Sequence, residues 1–377
     1  MIYLVLLTLL GFLFIPYIAY YFLMKGKANN EWNLNIDKEF KPKVTLIIAT
    51  FNEASVIKRK LENTQDLNYP EDRLQIIIID SASTDGTLDL CRSFLRKKDF
   101  CFKNVLLLSE DTRLGKSHAL NTALEYATGD IVATSDADSF LKFDALNQSV
   151  PFFADQSVGA LTGCEKLINL DKSVHTLSEG AYRKFYYDLR LGESKLDSTF
   201  IFQGELSLYR KSAIQKFEDK PGYSDDIGTV INIISKGYRC IFVPDAVFQD
   251  TAAHSLRGRI SLKSRRAEHL ISGVIRVLKL KIWKNLPLSF SIIIFNFHMH
   301  VLSPIILILS TAFFLLNIQN FFYLLILLIP LLIFGKSRVL FISYLTSNIA
   351  LLIGLFRHLF GEKKATWQKI EEMRHSE

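Results

Sequence analysis

The chain has 377 residues, 49% of them hydrophobic, with 45 Lys/Arg against 38 Asp/Glu and a formal net charge of +7. That content holds one sizeable domain plus membrane spans. The four cysteines, Cys91, Cys101, Cys164 and Cys240, show no metal-ligand spacing and read as buried free thiols, so neither a zinc module nor a disulfide framework is expected. The positive charge is local: residues 257–284 carry nine Lys/Arg and one Glu, which leaves the remainder near −1; such a stretch with one Trp could suggest nucleic acid, but beside a hydrophobic block it more often marks a helix on anionic lipid.

Residues 2–24 are apolar apart from Tyr and one Thr, long enough for a transmembrane helix within 1–24. No Lys or Arg precedes the run and no small-residue cleavage site closes it, so a signal peptide fits poorly. Lys25 and Lys27 follow, and the positive-inside bias then puts the next domain in the cytosol, after a linker at 25–42. From 43 to about 255 short apolar runs alternate with helical patterns. The runs 44–49, 74–79, 105–108 and 131–134 lack polar alternation, as strands do when both sheet faces are covered. Helical patterns lie at 54–65, 87–97 and 116–127. Such βα alternation predicts a mainly parallel α/β sheet, whose ligands bind outside the carboxyl ends of the strands.

The chemistry-bearing residues fall at those ends: Thr50-Phe51-Asn52-Glu53, Asp80-Ser81-Ala82-Ser83 and Ser135-Asp136-Ala137-Asp138. Asp136 and Asp138, two apart on a turn, suit a hard divalent cation carrying a diphosphate. Gly115-Lys116-Ser117 looks like the end of a P-loop, but Glu110 stands where that motif needs glycine, so a P-loop NTPase is rejected. Asp225 and Asp226 precede an apolar helical run; an N-cap with a first-turn acid is their structural reading.

Further matches follow in order: Arg113 to Asn121, Phe202-Gln203-Gly204, Ser224-Asp225-Asp226, Lys236-Gly237-Tyr238-Arg239 and Pro244-Asp245-Ala246. Taken together, the chain resembles the membrane-bound inverting glycosyltransferases of family 2, which carry a GT-A nucleotide-sugar-binding domain. The likeness spans about 200 residues, and its strength lies in the order of eight motifs, each only moderately specific alone. It implies donor contacts for Thr50, Asn52, Glu53 and Asp80, with Lys116 near the donor phosphates. It further implies Asp138 as the direct ligand of Mg²⁺ or Mn²⁺, Asp136 shared between ribose and metal, and Gln203 and Gly204 toward the acceptor. Asp226 aligns with the general base and Asp225 serves as the cap, so the anomeric configuration should invert.

Residues 256–285 read as a basic amphipathic helix on anionic lipid, since Leu270, Val274, Val277 and Leu278 recur at helical spacing. Processive members such as cellulose and hyaluronan synthases carry Gln-x-x-Arg-Trp here. This chain has Lys263-Ser264-Arg265-Arg266-Ala267, so Lys263 and Arg266 share a helix face toward the diphosphate. Ala267 replaces the ring that stacks on a terminal sugar, which argues against holding a polymer. Residues 286–360 form a membrane block of about three helices (286–316, 321–334, 339–360), followed by a charged tail at 361–377. His298 and His300, two apart in an apolar run, read as polar contacts rather than metal ligands.

The reading that results is a multi-pass cell-membrane enzyme with its catalytic domain cytosolic. It transfers one sugar from a nucleoside-diphosphate donor, UDP- before GDP-, to a polyprenyl- or other lipid-linked acceptor. A processive polysaccharide synthase is the alternative, separated by product length. A transporter or scaffold that only binds nucleotide predicts binding without metal-dependent donor consumption.

Overall fold

The computed structural model describes residues 1–96, 102, 104–220, 225–283, 285–322 and 335–361, with the backbone alone at 225, 282 and 283. Among these, the strands β1 (Val44–Thr50), β2 (Leu74–Ser81), β3 (Val105–Glu110), β4 (Ile131–Asp136), β5 (Phe140–Leu141), β6 (Val158–Leu167), β7 (Leu206–Arg210) and β8 (Arg239–Asp250) form one sheet. Its order is β3-β2-β1-β4-β7-β6-β8-β5. β1 to β4 pair in parallel and β6 pairs parallel with β8, whereas β7 is antiparallel to both β4 and β6. The four strands expected from the sequence form where expected, and they carry Thr50, Asp80 and Asp136 to the same edge. Register sets Thr50 opposite Asp80 and Ala49 opposite Asp136.

The helices are α1 (Ile2–Ala28), α2 (Ile57–Gln65), α3 (Thr87–Leu95), α4 (Lys116–Glu125), α5 (Ala145–Ser149), α6 (Val174–Leu196), α7 (Asp225–Ser235), α8 (Leu256–Trp283), α9 (Phe290–Leu316, with a π turn at His298–Leu302) and α10 (Gly335–Phe360). Continuous aliphatic strands serve two cores at once, because successive side chains point to opposite faces. Ile47, Ile77, Ile79 and Val132 join the core beneath α4, α7 and α8. Leu46, Ile48, Ile76 and Ile78 join the one beneath α2, α3 and α5. Each such fully buried side chain is worth roughly 1.5–3 kcal/mol.

Helices α1, α9 and α10 are long and apolar enough to cross a membrane. Of the expected span at 321–334, residues 323–334 lie outside the described set, as does all of the tail beyond Gly361. One expectation is overturned. The apolar stripe of α8 does not rest on lipid: Ile271, Val274 and Val277 are fully buried in the core shared with α7, and Leu270 and Leu278 pack against it. On its other flank α8 meets α10 so closely that a Cβ added at Gly354 would lie 2.6 Å from the Cβ of Ala267. The position where processive enzymes carry Trp therefore has no room for a ring.

The N-terminal helix is seated on the domain. Tyr20 of α1 donates to the buried Glu193 of α6, which also accepts from Thr199 (2.6 Å) and from Asn296 of α9 (3.1 Å). Lys195 closes the C-terminus of α1, its Nζ 2.7 Å from the Ala28 carbonyl and 2.6 Å from that of Asn30, where a cation suits the helix dipole. Gly192 makes the approach possible, since a Cβ there would sit 2.1 Å from the Met24 carbonyl oxygen. Gly192→Val is expected to cost roughly 1–3 kcal/mol by overpacking and to lower the melting temperature in detergent by several degrees. An unchanged melting curve would contradict this seating.

Candidate active site

The loops after β1 and β2 are locked together by their polar residues. The Asp80 carboxylate, almost fully buried, accepts from Thr50 Oγ1 (3.0 Å), the Ser83 amide (3.0 Å) and Ser83 Oγ (2.5 Å). Asn52, at a φ of 53° that asparagine tolerates, donates its amide to Ser83 Oγ (2.8 Å) and accepts from the Thr84 amide (2.8 Å). The Glu53 amide donates to Thr87 Oγ1 (2.8 Å), and the Arg113 guanidinium lies over the Phe51 ring at 3.9 Å. Thr50, Asn52, Glu53 and Asp80 thus form one contiguous wall.

Asp136 ends β4 and pairs with Lys116, the first residue of α4, at 2.6 Å. Burial pushes Asp136 up to about 6 against the pull of Lys116, with the charges of Glu205 and Asp138 adding to the rise. Behind the turn, fully buried Lys60 donates to Ser135 Oγ and the Ser139 carbonyl, both at 2.6 Å. Burial lowers its pKa to about 7 despite the attraction of Asp136 and Asp138. Lys60 therefore fixes the Asp-x-Asp turn from within. Its sequence, between Arg59 and Leu61 on a mostly polar helix, gave no signal of that role.

Gln203, Gly204 and Glu205 precede β7. Gln203 Nε2 donates to Glu165 at 2.7 Å, and a Cβ at Gly204 would sit 2.5 Å from Asp226 Oδ2. Only glycine leaves room for the Asp226 carboxylate here. Asp225 opens α7, but its side chain lies outside the described set.

Arg266 pairs with Glu205 at 2.7 Å at the mouth of this cleft. Lys263 does not join it: its Nζ sits 3.1 Å from Glu179 and 3.5 Å from the centroid of Tyr182, deeper in the protein. Arg265 instead faces the acids; burial and the adjacent Arg266 lower its pKa to about 10, while Glu205, Asp136 and Asp138 resist. The sequence reading missed Arg265, Glu205 and Asp250, although Glu205 directly follows a singled-out pair. Asp250, at the end of β8, is pushed well up by burial and by Glu165, Asp138 and Glu205.

Several of these groups, though not Asp138 or the wall of Thr50, Asn52, Glu53 and Asp80, line a cavity of about 210 Å³ that begins at Lys116, Asp136, Gly204 and Asp226 and continues beneath α8 to His300 of α9 and Leu351 of α10. Burial, and after it the crowding of the carboxylates Asp136, Asp138, Glu205 and Asp250, raises the pKa values of Asp136 and Asp250, an environment that a cation relieves. Among the described residues no group of three or more His, Cys, Asp or Glu is preassembled around a metal position. Two carboxylates completed by substrate phosphates is the arrangement that suits Mg²⁺ and Mn²⁺.

Residues 45–217 match the family model for glycosyl transferase family 2. Among curated proteins, the chain is 29% identical over 251 residues to the Bacillus subtilis (strain 168) protein described as "Probable glycosyltransferase YdaM", covering 63% of this chain and 59% of that one. It is 25% identical over 248 residues to a poly-β-1,6-N-acetyl-D-glucosamine synthase of Staphylococcus aureus (strain COL), covering 65% and 58%. The chain thus spans under two thirds of the length of these relatives. Among solved structures it is similar to mannosyltransferase PcManGT from Pyrobaculum calidifontis in complex with GDP-Man and Mn²⁺. That likeness has a TM-score of 0.83 at 29% identity and covers 96% of this chain and 100% of that one. Residues 45–217 thus match the glycosyl transferase family 2 model, within a chain whose fold is GT-A.

Proposed function

We propose that the protein moves one sugar from a nucleoside-diphosphate donor onto a lipid-linked acceptor at the cytosolic membrane surface, with inversion at the anomeric carbon. The observation that carries this reading is the single cavity joining the Lys116–Asp136 end to the helices that can cross a membrane. The base and ribose of the donor rest on the wall of Thr50, Asn52, Glu53 and Asp80. Lys116, Arg265 and Arg266 face the diphosphate. A divalent cation, Mg²⁺ or Mn²⁺, held by Asp138 and Asp136 would offset charge on the departing diphosphate, worth several kcal/mol. Asp226, seated against Gly204 beside Gln203, takes the proton from the acceptor hydroxyl as it attacks opposite the leaving group. The sequence favours a UDP-sugar. The near full-length likeness to an enzyme holding GDP-Man supports testing GDP-mannose first.

Processive synthesis is the second reading, favoured by the likeness to the Staphylococcus synthase. The Ala267–Gly354 contact speaks against it, because no ring can stand there to grip a growing chain.

Radiolabelled GDP-mannose, UDP-glucose and UDP-N-acetylglucosamine, incubated with the full chain in membranes, test the reading by product length and metal dependence. Asp138→Ala is expected to abolish metal-dependent donor binding and transfer together. Asp226→Asn should retain donor binding while transfer falls by about 10²–10⁴-fold. Undiminished transfer in both variants would overturn the assignment, and a long water-soluble product would replace it with the processive reading. Arg265→Ala and Arg266→Ala should each raise the donor KM by roughly 10–100-fold, as loss of a charged hydrogen bond does. Lys263→Ala, whose partner is Glu179, should change the donor KM by less than about threefold, a small fraction of that cost. Equal effects in all three variants would return Lys263 to the diphosphate.

A further inference from the structure

Away from the donor end, the cavity runs between α6 and α8 toward α9 and α10, and here cations outnumber the acids available to them. Arg183 holds Glu165 at 2.6 Å and Glu179 at 3.0 Å. Arg259 and Lys263 share the same Glu179 at 3.2 and 3.1 Å. Although burial opposes it, Lys263, Arg183 and Arg259 together hold the Glu179 carboxyl far below the ordinary range. Arg190 lines the cavity too, and among the described residues no acid stands within ion-pair distance of it. It is 8% exposed, lies over the Tyr186 ring at 5.9 Å, and buries its Nε without a hydrogen-bond partner. Nη2 of Arg259 is likewise buried and unpartnered. Glu193, one turn along α6 from Arg190, is already committed to Tyr20, Thr199 and Asn296.

Buried guanidinium donors are almost always satisfied, so two left without a partner, on residues that line one cavity, point to a group that arrives with a ligand. The chemistry that matches two guanidiniums and an ammonium is an oxyanion, phosphate above all. The adjoining wall is apolar where α10 contributes Ala350 and Leu351, and α10 is one of the helices able to cross a membrane. A free anion has no use for that wall, whereas a lipid chain does.

We infer that Arg190 and Arg259 seat the phosphate of a phosphate-bearing lipid acceptor, with its chain leaving along α10 and its sugar hydroxyl reaching Asp226. The inference rests on the lipid-acceptor reading above and deepens it: the acceptor is a lipid phosphate or diphosphate carrying a sugar or polyol, not a neutral glycolipid. Arg190 here is a binding residue for the acceptor, with no part in holding the donor.

The test is binding without turnover, so that it stands apart from the transfer reaction. Purified full-length protein in detergent is titrated with farnesyl phosphate, farnesol and inorganic phosphate, and occupancy is read by native mass spectrometry. Farnesyl phosphate is expected to bind at least tenfold tighter than either of the others. Arg190→Gln should lose at least tenfold of that affinity and Arg190→Lys should keep part of it. Stabilisation of both variants by GDP or UDP with Mn²⁺ reports that they are folded. Should Arg190→Gln fail to fold, the wild-type ratio of farnesyl phosphate to farnesol and the Arg190→Lys variant decide the matter. Equal binding of farnesol, unaltered binding by folded Arg190→Gln, or inorganic phosphate as tight as farnesyl phosphate would each overturn the inference. Absence of sugar transfer alongside the expected binding would sink the proposed reaction and leave this pocket standing.

Discussion

The structure depends on neutralising carboxylates gathered at one edge of a sheet. Asp136, Asp138, Glu205 and Asp250 converge where burial makes charge expensive, and Lys116, the first residue of α4, is the cation paired with Asp136. The remaining positive charge comes from α8, a helix that follows the sheet in sequence and precedes α9, which is long and apolar enough to cross a membrane. Arg266 closes on Glu205, and Arg265 faces Asp136 and Asp138. Helix α8 is for this reason part of the site's wall, and its apolar stripe is spent on the domain core instead of on lipid.

From that arrangement the membrane geometry follows. α8 carries α10 against Ala267, while α1 is tied to α6 through Glu193, Gly192 and Lys195. α6 also supplies Glu179, Arg183 and Arg190, so the helix that anchors the N-terminal span is the helix that lines the cavity. The proposed transfer from a soluble donor to a lipid acceptor would require such a fixed cleft, because both must reach one set of reacting groups.

Much of this was legible in the chain. The Leu/Ile/Val runs of β1 to β4 lack polar alternation, which signals a covered parallel sheet, and parallel sheets put ligand-binding residues at strand ends. The positions of Thr50, Asp80 and Asp136 follow from those two rules. What was hidden involved charges that look like surface charges. Glu179 and Arg183 stand four apart on α6, the spacing of an ordinary surface pair, yet Glu179 is buried and Arg183 half-buried. Lys60 sits among Lys58 and Arg59 with nothing to mark it as the one that turns inward. The α8 stripe has the same spacing whether it meets lipid or protein, and only the presence of α7 decides between them. The antiparallel insertion of β7 between β4 and β6 was also beyond reach, since its pairing is set by tertiary contacts and not by its own short sequence.

A double-mutant cycle on Glu205 and Arg266 examines the neutralisation of the acid edge by α8 most directly. Donor-nucleotide affinity in the presence of Mn²⁺ would be measured by calorimetry for the wild type, Glu205→Gln, Arg266→Gln and the double variant. The account predicts a coupling above about 1 kcal/mol, as expected for charged groups in direct contact. Effects that add to within about 0.3–0.5 kcal/mol would show that the helix and the sheet edge act independently, and would contradict it.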